Sequence, residues 1–246
     1  MRLYGLIGYP LGHSFSKQYF TEKFAREGLS DCVFEAFPIP GISLFQTLLK
    51  ENPTLKGLAV TIPYKEQVLQ FIDEHTEEVE FIGATNCIKI SSGKLLAYNT
   101  DIIGFEESLI KSLKSTHSKA LVLGTGGASK AVQFVLRKLG IDFQLVSRVA
   151  NPGAQLISYS EVDDNCVTAH PLIINCTPLG MYPKEDTFPD IPYDAVTPGH
   201  YFFDLVYKPE STKFLQKGSE RGATLKNGYE MLLIQAEANW KIWNDL

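Results

Sequence analysis

Apolar positions in this chain fall by turns into short continuous runs and into runs spaced three or four residues apart, the pattern of strands alternating with helices. Residues 3–8 predict a buried strand that ends in the turn residues Tyr9-Pro10-Leu11-Gly12. Tyr19, Phe20 and Phe24 predict a helix that Ser16 caps and Gly28 closes. A second strand (32–37), a second helix (43–50) and a third strand (57–62) follow. Pro63 then opens a helix with Val68, Leu69 and Ile72 on its buried face, which sets Lys65 in the first turn, where its charge opposes the helix dipole. Residues 86–90 and 95–98, joined by a Ser-Ser-Gly turn, predict a hairpin. Asn99-Thr100-Asp101 has the composition of a helix cap, and Ile102, Phe105, Leu109, Ile110 and Leu113 continue at helical spacing to a polar connector at 114–119.

The second half opens with Leu121-Val122-Leu123 running into Gly124-Thr125-Gly126-Gly127-Ala128-Ser129, after which Ala131, Val132, Val135, Leu136 and Leu139 recur at helical spacing. Strand, glycine turn and helix in that order suit a pyrophosphate. Glycines let the backbone approach without Cβ clashes, and the helix N-terminus attracts negative charge. An ordinary strand-to-helix turn has the same outline, so both readings stand on these residues. Residues 142–146 predict a strand ending in Ser147-Arg148. In a dinucleotide-binding fold an acid at this point holds a free 2′-hydroxyl, whereas an arginine accommodates a 2′-phosphate, so Arg148 favours NADP over NAD. Asn151-Pro152-Gly153 abbreviates the following crossover. A strand at 172–175 leads into Cys176-Thr177-Pro178-Leu179-Gly180-Met181, at the end of the sheet where open α/β folds bind ligands. Residues 201–206 predict another strand, Thr212 starts a helix carrying Phe214 and Leu215, and Asn227-Gly228 turns into a closing helix. That helix aligns Met231, Leu232, Gln235, Ala236, Asn239, Trp240 and Trp243 along one face. Gln235 in this stripe is an edge residue or a ligand, and needs a partner if buried.

Composition narrows the function classes. The 246 residues are 44% hydrophobic and 21% charged, a globular balance for one large or two ordinary domains. A net charge of -5 without any basic run argues against a nucleic-acid partner. Cys32, Cys87, Cys166 and Cys176 are far apart, which suggests neither a disulfide framework nor a thiolate metal site and fits a reducing, cytoplasmic setting. The N-terminus does not read as a signal peptide, and no apolar run reaches membrane-spanning length.

Taken together, Gly8-Tyr9-Pro10-Leu11-Gly12-His13-Ser14-Phe15-Ser16, Val60-Thr61-Ile62-Pro63-Tyr64-Lys65, Gly83-Ala84-Thr85-Asn86, Asn99-Thr100-Asp101 with Gly104-Phe105, the glycine turn, Asn175-Cys176-Thr177-Pro178-Leu179-Gly180-Met181, Asp204-Leu205-Val206-Tyr207 and Met231-Leu232-Leu233-Ile234-Gln235-Ala236 resemble the shikimate dehydrogenase family over nearly the whole chain. The resemblance implies an α/β chain of two domains: an N-terminal α/β substrate domain (1–101, joined by the closing helix 229–246) and a Rossmann-like NADP-binding domain (102–228). It implies NADPH-dependent reduction of 3-dehydroshikimate to shikimate in aromatic amino-acid biosynthesis, in a cleft between the domains. By the same resemblance Lys65 and Asp101 are the catalytic pair, and Ser14 and Ser16 hold the substrate carboxylate. Thr61, Asn86, Tyr207 and Gln235 surround the ring hydroxyls. Gly124, Gly126, Gly127, Ala128, Ser147, Arg148, Thr177, Leu205 and Gly228 lie on the cofactor side, with no metal. The expected partners are the small-molecule substrate and neither nucleic acid nor membrane, in a monomer or homodimer.

The chain departs from the family's usual pattern at two positions. Ala59 stands where asparagine is usual and Val149 where threonine follows the arginine, so asparagine at position 59 is expected to strengthen the grip on shikimate. Two other readings remain: a quinate/shikimate dehydrogenase using NAD or NADP, and a catalytically silent NADP-binding sensor. Arg148, and serine rather than threonine at Ser16, favour the shikimate-specific enzyme; retention of Lys65 and Asp101 disfavours the sensor.

Overall fold

The structure, a computed structural model, describes residues 1–12, 15–151 and 156–246. Ser14 and the Pro152-Gly153 break lie outside the described residues. The chain divides into two compact units, Met1–Thr100 with Ala236–Leu246, and Asp101–Gln235.

The first unit is built on a six-stranded mixed sheet in the order β2-β1-β3-β5-β6-β4. Its strands are β1 (Arg2–Gly8), β2 (Cys32–Pro38), β3 (Leu55–Val60), β4 (Glu74–His75), β5 (Cys87–Ser91) and β6 (Lys94–Tyr98). β1 pairs in parallel with β2 and β3, so the carboxyl ends of β1 and β3 stand side by side. β5 and β6 form the expected hairpin, and its two-residue loop is a primed turn because Ser92 and Gly93 both have positive φ (51° and 79°). Helices α1 (Phe15–Arg26), α2 (Phe45–Glu51), α3 (Tyr64–Gln67) and α4 (Glu77–Ile82) complete the unit together with the last part of α9 (Tyr229–Asn244). Alternation along the strands feeds two cores. Leu58 and Val60 pack with Phe45, Leu48, Tyr64 and Val68, whereas Tyr4, Leu6 and Ala59 pack with Phe20, Phe24, Trp240 and Trp243. The second core fixes the end of α9: Trp240 and Trp243 lie 5.2 and 5.3 Å from the Tyr4 ring, and the Trp243 indole donates to the Ile88 carbonyl at 3.1 Å.

Two details differ from the sequence reading. α1 already includes Ser16 in its first turn, so Ser16 is not the cap. The helix expected from Pro63 onward is only α3 followed by a 3-10 turn over Val68–Phe71, with Pro63 in the cap position.

The second unit carries a six-stranded sheet in the order β12-β11-β10-β7-β8-β9, formed by β7 (Lys119–Leu123), β8 (Asp142–Ser147), β9 (Leu156–Ser158), β10 (Leu172–Asn175), β11 (Tyr201–Asp204) and β12 (Thr224–Lys226). Every pairing is parallel. Numbered within the unit, the order is 3-2-1-4-5-6, the doubly wound arrangement whose switch point lies between β7 and β10. Helices α5 (Asp101–Leu109), α6 (Gly127–Lys138), α7 (Asp164–Ala169) and α8 (Lys213–Glu220) cover it. Val167, Phe214 and Leu215 pack on Leu121, Ile173 and Phe202, and Phe105 meets Phe203 edge-on at 5.0 Å. α5 ends at Leu109, short of the Leu113 that periodicity reached.

Candidate active site

In the first unit the candidate site residues Thr61, Lys65 and Asn86 lie near the ends of β1 and β3. The Thr61 N–H donates to the Ile7 carbonyl at 2.9 Å, and a Cβ on Gly8 would lie 2.5 Å from the Thr61 Cγ2, so Gly8 leaves the room that Thr61 occupies. Tyr64 is buried and donates its hydroxyl to the Ile39 carbonyl at 2.5 Å, which anchors α3 and sets the half-buried Lys65 beside that anchor. The Lys65 carbonyl accepts the Thr85 N–H at 2.8 Å, tying α3 to the segment that carries Asn86. Because α3 has only four residues, its dipole is small, and the argument that Lys65 opposes a helix dipole loses most of its force.

Asn86 is 3% exposed. Its Oδ1 accepts the Thr100 backbone N–H at 2.7 Å, which fixes the amide orientation and turns Nδ2 to the opposite side. The Thr100 hydroxyl in turn donates to the Asn239 Oδ1 at 2.6 Å. Thr100 and Asn239 therefore support a candidate site residue, a role the sequence signalled only through the Asn-Thr-Asp run.

In the second unit Asp101 is the buried first residue of α5. Gln235 is 9% exposed and has the partner its burial demands, since its Nε2 donates to the Leu232 carbonyl at 2.9 Å. Tyr207 is half-buried, and burial raises its phenol above the ordinary value, which keeps it protonated.

The cofactor-side residues of the sequence reading lie in the same unit, at the carboxyl ends of its parallel strands. Gly124 adopts φ +105°, a conformation that disfavours any side chain, and a Cβ there would lie 3.0 Å from the Thr177 Cγ2. The glycine turn and the β10 loop thus meet at the switch point. The Gly124 N–H also donates to the Val146 carbonyl at 2.8 Å, placing the end of β8, with Ser147 and the exposed Arg148, next to the turn. Gly126 is exposed at the N-cap of the twelve-residue α6, its Cβ position is open, and the first turn of α6 contains no acid. Open backbone, a helix N-terminus and a nearby guanidinium fit a phosphate-bearing dinucleotide. Gly228 packs on Leu205, with its N–H donating to the Val206 carbonyl at 3.2 Å.

One buried network had no counterpart in the sequence reading. The Asp204 carboxylate accepts the Asn175 Nδ2 at 2.9 Å, the Val206 N–H at 3.0 Å and the Thr212 hydroxyl at 2.5 Å. The Asn175 Oδ1 accepts the Thr177 N–H at 3.0 Å and the Thr177 hydroxyl at 2.6 Å. Asn175 and Asp204 stood in quoted motifs, but only their adjacent register on β10 and β11 makes them partners. Among the described residues no cluster of three or more His, Cys, Asp or Glu could hold a metal ion, and no helix is long and apolar enough to cross a membrane.

The family profile described as the shikimate dehydrogenase substrate binding domain matches residues 6–88. The NADP(+)-dependent shikimate dehydrogenase of Carboxydothermus hydrogenoformans is 35% identical over 263 aligned residues, covering 98% of this chain and 91% of that protein. The chain belongs to the shikimate dehydrogenase family. Solved members of the family share its architecture: the Aquifex aeolicus shikimate dehydrogenase superposes with a TM-score of 0.89 at 33% identity, covering 100% of this chain and 93% of that one. The Thermus thermophilus shikimate 5-dehydrogenase, solved in complex with NADP(H) and shikimate, gives a TM-score of 0.88 at 29% identity, covering 100% and 94%. Against the family's usual pattern, Ala59 sits in the apolar cluster with Tyr4, Cys87 and Trp240 and is 7% exposed, whereas Val149 is 75% exposed.

Proposed function

We propose that this protein catalyses the reversible NADPH-dependent reduction of 3-dehydroshikimate to shikimate. The observation that carries the reading is the glycine turn at the switch point of a parallel 3-2-1-4-5-6 sheet, followed by Arg148 and no acid at the end of β8, in a chain similar to NADP-dependent shikimate dehydrogenases along nearly its full length. Residues 102–228 serve as the NADP domain, and residues 1–101 with the helix at 229–246 as the substrate domain.

Gly124, Gly126, Gly127 and Ala128 hold the pyrophosphate, Ser147 and Arg148 the 2′-phosphate, and Thr177, Leu205 and Gly228 the remainder of the cofactor. When bound, the cofactor supplies the hydride. Lys65 donates the proton that the ketone oxygen needs as charge builds on it, and in the reverse direction takes it back; Asp101 is the acidic member of the catalytic pair. Ser14 and Ser16 bind the substrate carboxylate. Thr61, Asn86, Tyr207 and Gln235 bind the ring hydroxyls. Asn86, with its Oδ1 committed to Thr100, meets its hydroxyl as a donor through Nδ2. The four cysteines are free thiols, in keeping with a cytoplasmic enzyme. Absorbance at the nicotinamide band after mixing protein, shikimate and NADP tests the reading: it rises as NADPH forms, and an unchanged baseline contradicts it.

A further inference from the structure

We propose that Asp204 is a positioning residue for the NADP site, acting on Thr177 through Asn175 and on the Leu205 turn directly. The proposal rests on the NADP reading above. Asp204 and Asn175 are fully buried at the carboxyl ends of adjacent strands, and neither is among the residues assigned above to the cofactor. The three hydrogen bonds that Asp204 accepts come from neutral groups: Asn175, Thr212 and the Val206 backbone. Burial without a cation among these donors raises its carboxyl to about 6, so above neutral pH the site holds a carboxylate supported by dipoles.

A carboxylate only accepts, and this gives the whole chain one sense. Asn175 must turn Nδ2 toward Asp204, which leaves its Oδ1 for Thr177. The single hydroxyl proton of Thr177 is then committed inward, and one lone pair accepts the Leu179 N–H at 3.3 Å. Toward a bound cofactor Thr177 can therefore offer only an acceptor. On its other side Asp204 holds the Val206 N–H, and with it the turn whose Leu205 backbone packs against Gly228. One carboxylate thus anchors the Asn175 amide, whose Oδ1 the Thr177 N–H holds at the other end, and fixes the position of the β11 turn. Asp204→Ala removes the acceptor of both the Asn175 Nδ2 and the Val206 N–H, so the Asn175 amide that orients Thr177 loses its anchor and the Leu205 turn loses its tie.

Calorimetric titration of NADP+ at pH 8 into wild type, Asp204→Ala, Thr177→Val and the double variant separates these roles. Each single change is expected to weaken binding about tenfold, the equivalent of one hydrogen bond. The double variant is expected within about threefold of the Asp204 variant alone, because the loss at Thr177 is already contained in the loss of its anchor. Wild-type affinity in Asp204→Ala overturns the proposal, and so does full multiplication to about a hundredfold loss in the double variant, since a merely structural role adds independently. If Asp204→Ala does not fold, Asn175→Ala breaks the same chain one link further on, with the same coupling to Thr177 expected and additivity again overturning the proposal. Wild type that does not bind NADP+ sinks the underlying NADP reading, whereas binding with additive variants sinks only the role of Asp204.

Discussion

A Cβ atom on Gly228 would lie 2.2 Å from the carbonyl oxygen of Leu205 and 2.7 Å from its carbonyl carbon. Both are backbone atoms, so no rotamer change relieves the overlap, and the turn after β11 and the start of α9 must separate. Gly228→Ala is therefore expected to lower stability by roughly 1–3 kcal/mol, with weaker NADP binding as the Leu205 turn shifts. Thermal unfolding and cofactor titration of the variant check this, and wild-type values in both would mean that the chain relaxes without cost.

Lys65 acts in the transition state under the proposed chemistry. Lys65→Ala is expected to lower kcat by roughly 10²–10⁴-fold while the KM for shikimate changes much less. Steady-state kinetics decide the matter, and turnover near wild type removes Lys65 from the mechanism.

The exposed Arg148 beside the glycine turn is expected to discriminate between cofactors. A charge-assisted bond to the 2′-phosphate is worth about 1.5–3 kcal/mol, so Arg148→Ala should raise the KM for NADP roughly 10- to 150-fold and leave that for NAD nearly unchanged. Equal losses with both cofactors would make Arg148 a structural residue.

Position 59 reverses an expectation from sequence. Asparagine there was expected to strengthen the hold on shikimate, but Ala59 packs among Tyr4, Leu6, Phe20, Trp240 and Trp243, where an amide finds an apolar wall. Ala59→Asn is expected to lose about 1–3 kcal/mol of stability with no gain in KM. An unchanged melting temperature together with a lower KM for shikimate would restore the sequence-based view.

The stability of the second unit carries a pH signature. His117 accepts the Lys114 N–H at Nδ1 (3.0 Å), and its Nε2 lies 3.2 Å from the Gly199 carbonyl, the arrangement of a neutral ring. Burial lowers its pKa below the ordinary 6.5, so the unfolded chain takes up this proton first. The contribution of His117 is complete above that value and is lost as pH falls below it. Asp204 works in the opposite direction. With its pKa raised from 3.8 to about 6, the folded state binds more protons between those values and gains on the unfolded state as pH falls. His117→Asn, whose Oδ1 can accept the Lys114 N–H without titrating, is expected to flatten the acid-side decline of Tm below about pH 6.5. Identical Tm profiles for variant and wild type would exclude His117 as the source.

Much of this architecture was legible in the sequence because its signals are local. The glycine turn, the Ser-Ser-Gly hairpin and the α9 stripe each announce themselves within a dozen residues. What escaped depends on partners distant in sequence. The Asp204–Asn175 pair exists only because two strands align in register, and the surroundings of Ala59 are completed by Trp240 and Trp243 from the other end of the chain. The small elements β4 and α4 were missed for a different reason: the charged run Glu77-Glu78-Val79-Glu80 shows little apolar period. Even so, Thr76 accepts the Val79 N–H as a cap, and Gly83 closes α4 in the left-handed conformation. Those cap residues were the available signal.

The central claim is most directly tested by initial rates of NADPH formation at the nicotinamide band, with shikimate or quinate as the alcohol and NADP or NAD as the acceptor. The account predicts fast reduction with shikimate and NADP, a kcat/KM at least about tenfold lower when NAD replaces NADP, and little turnover of quinate. Faster reaction with quinate, or with NAD than with NADP, would contradict it.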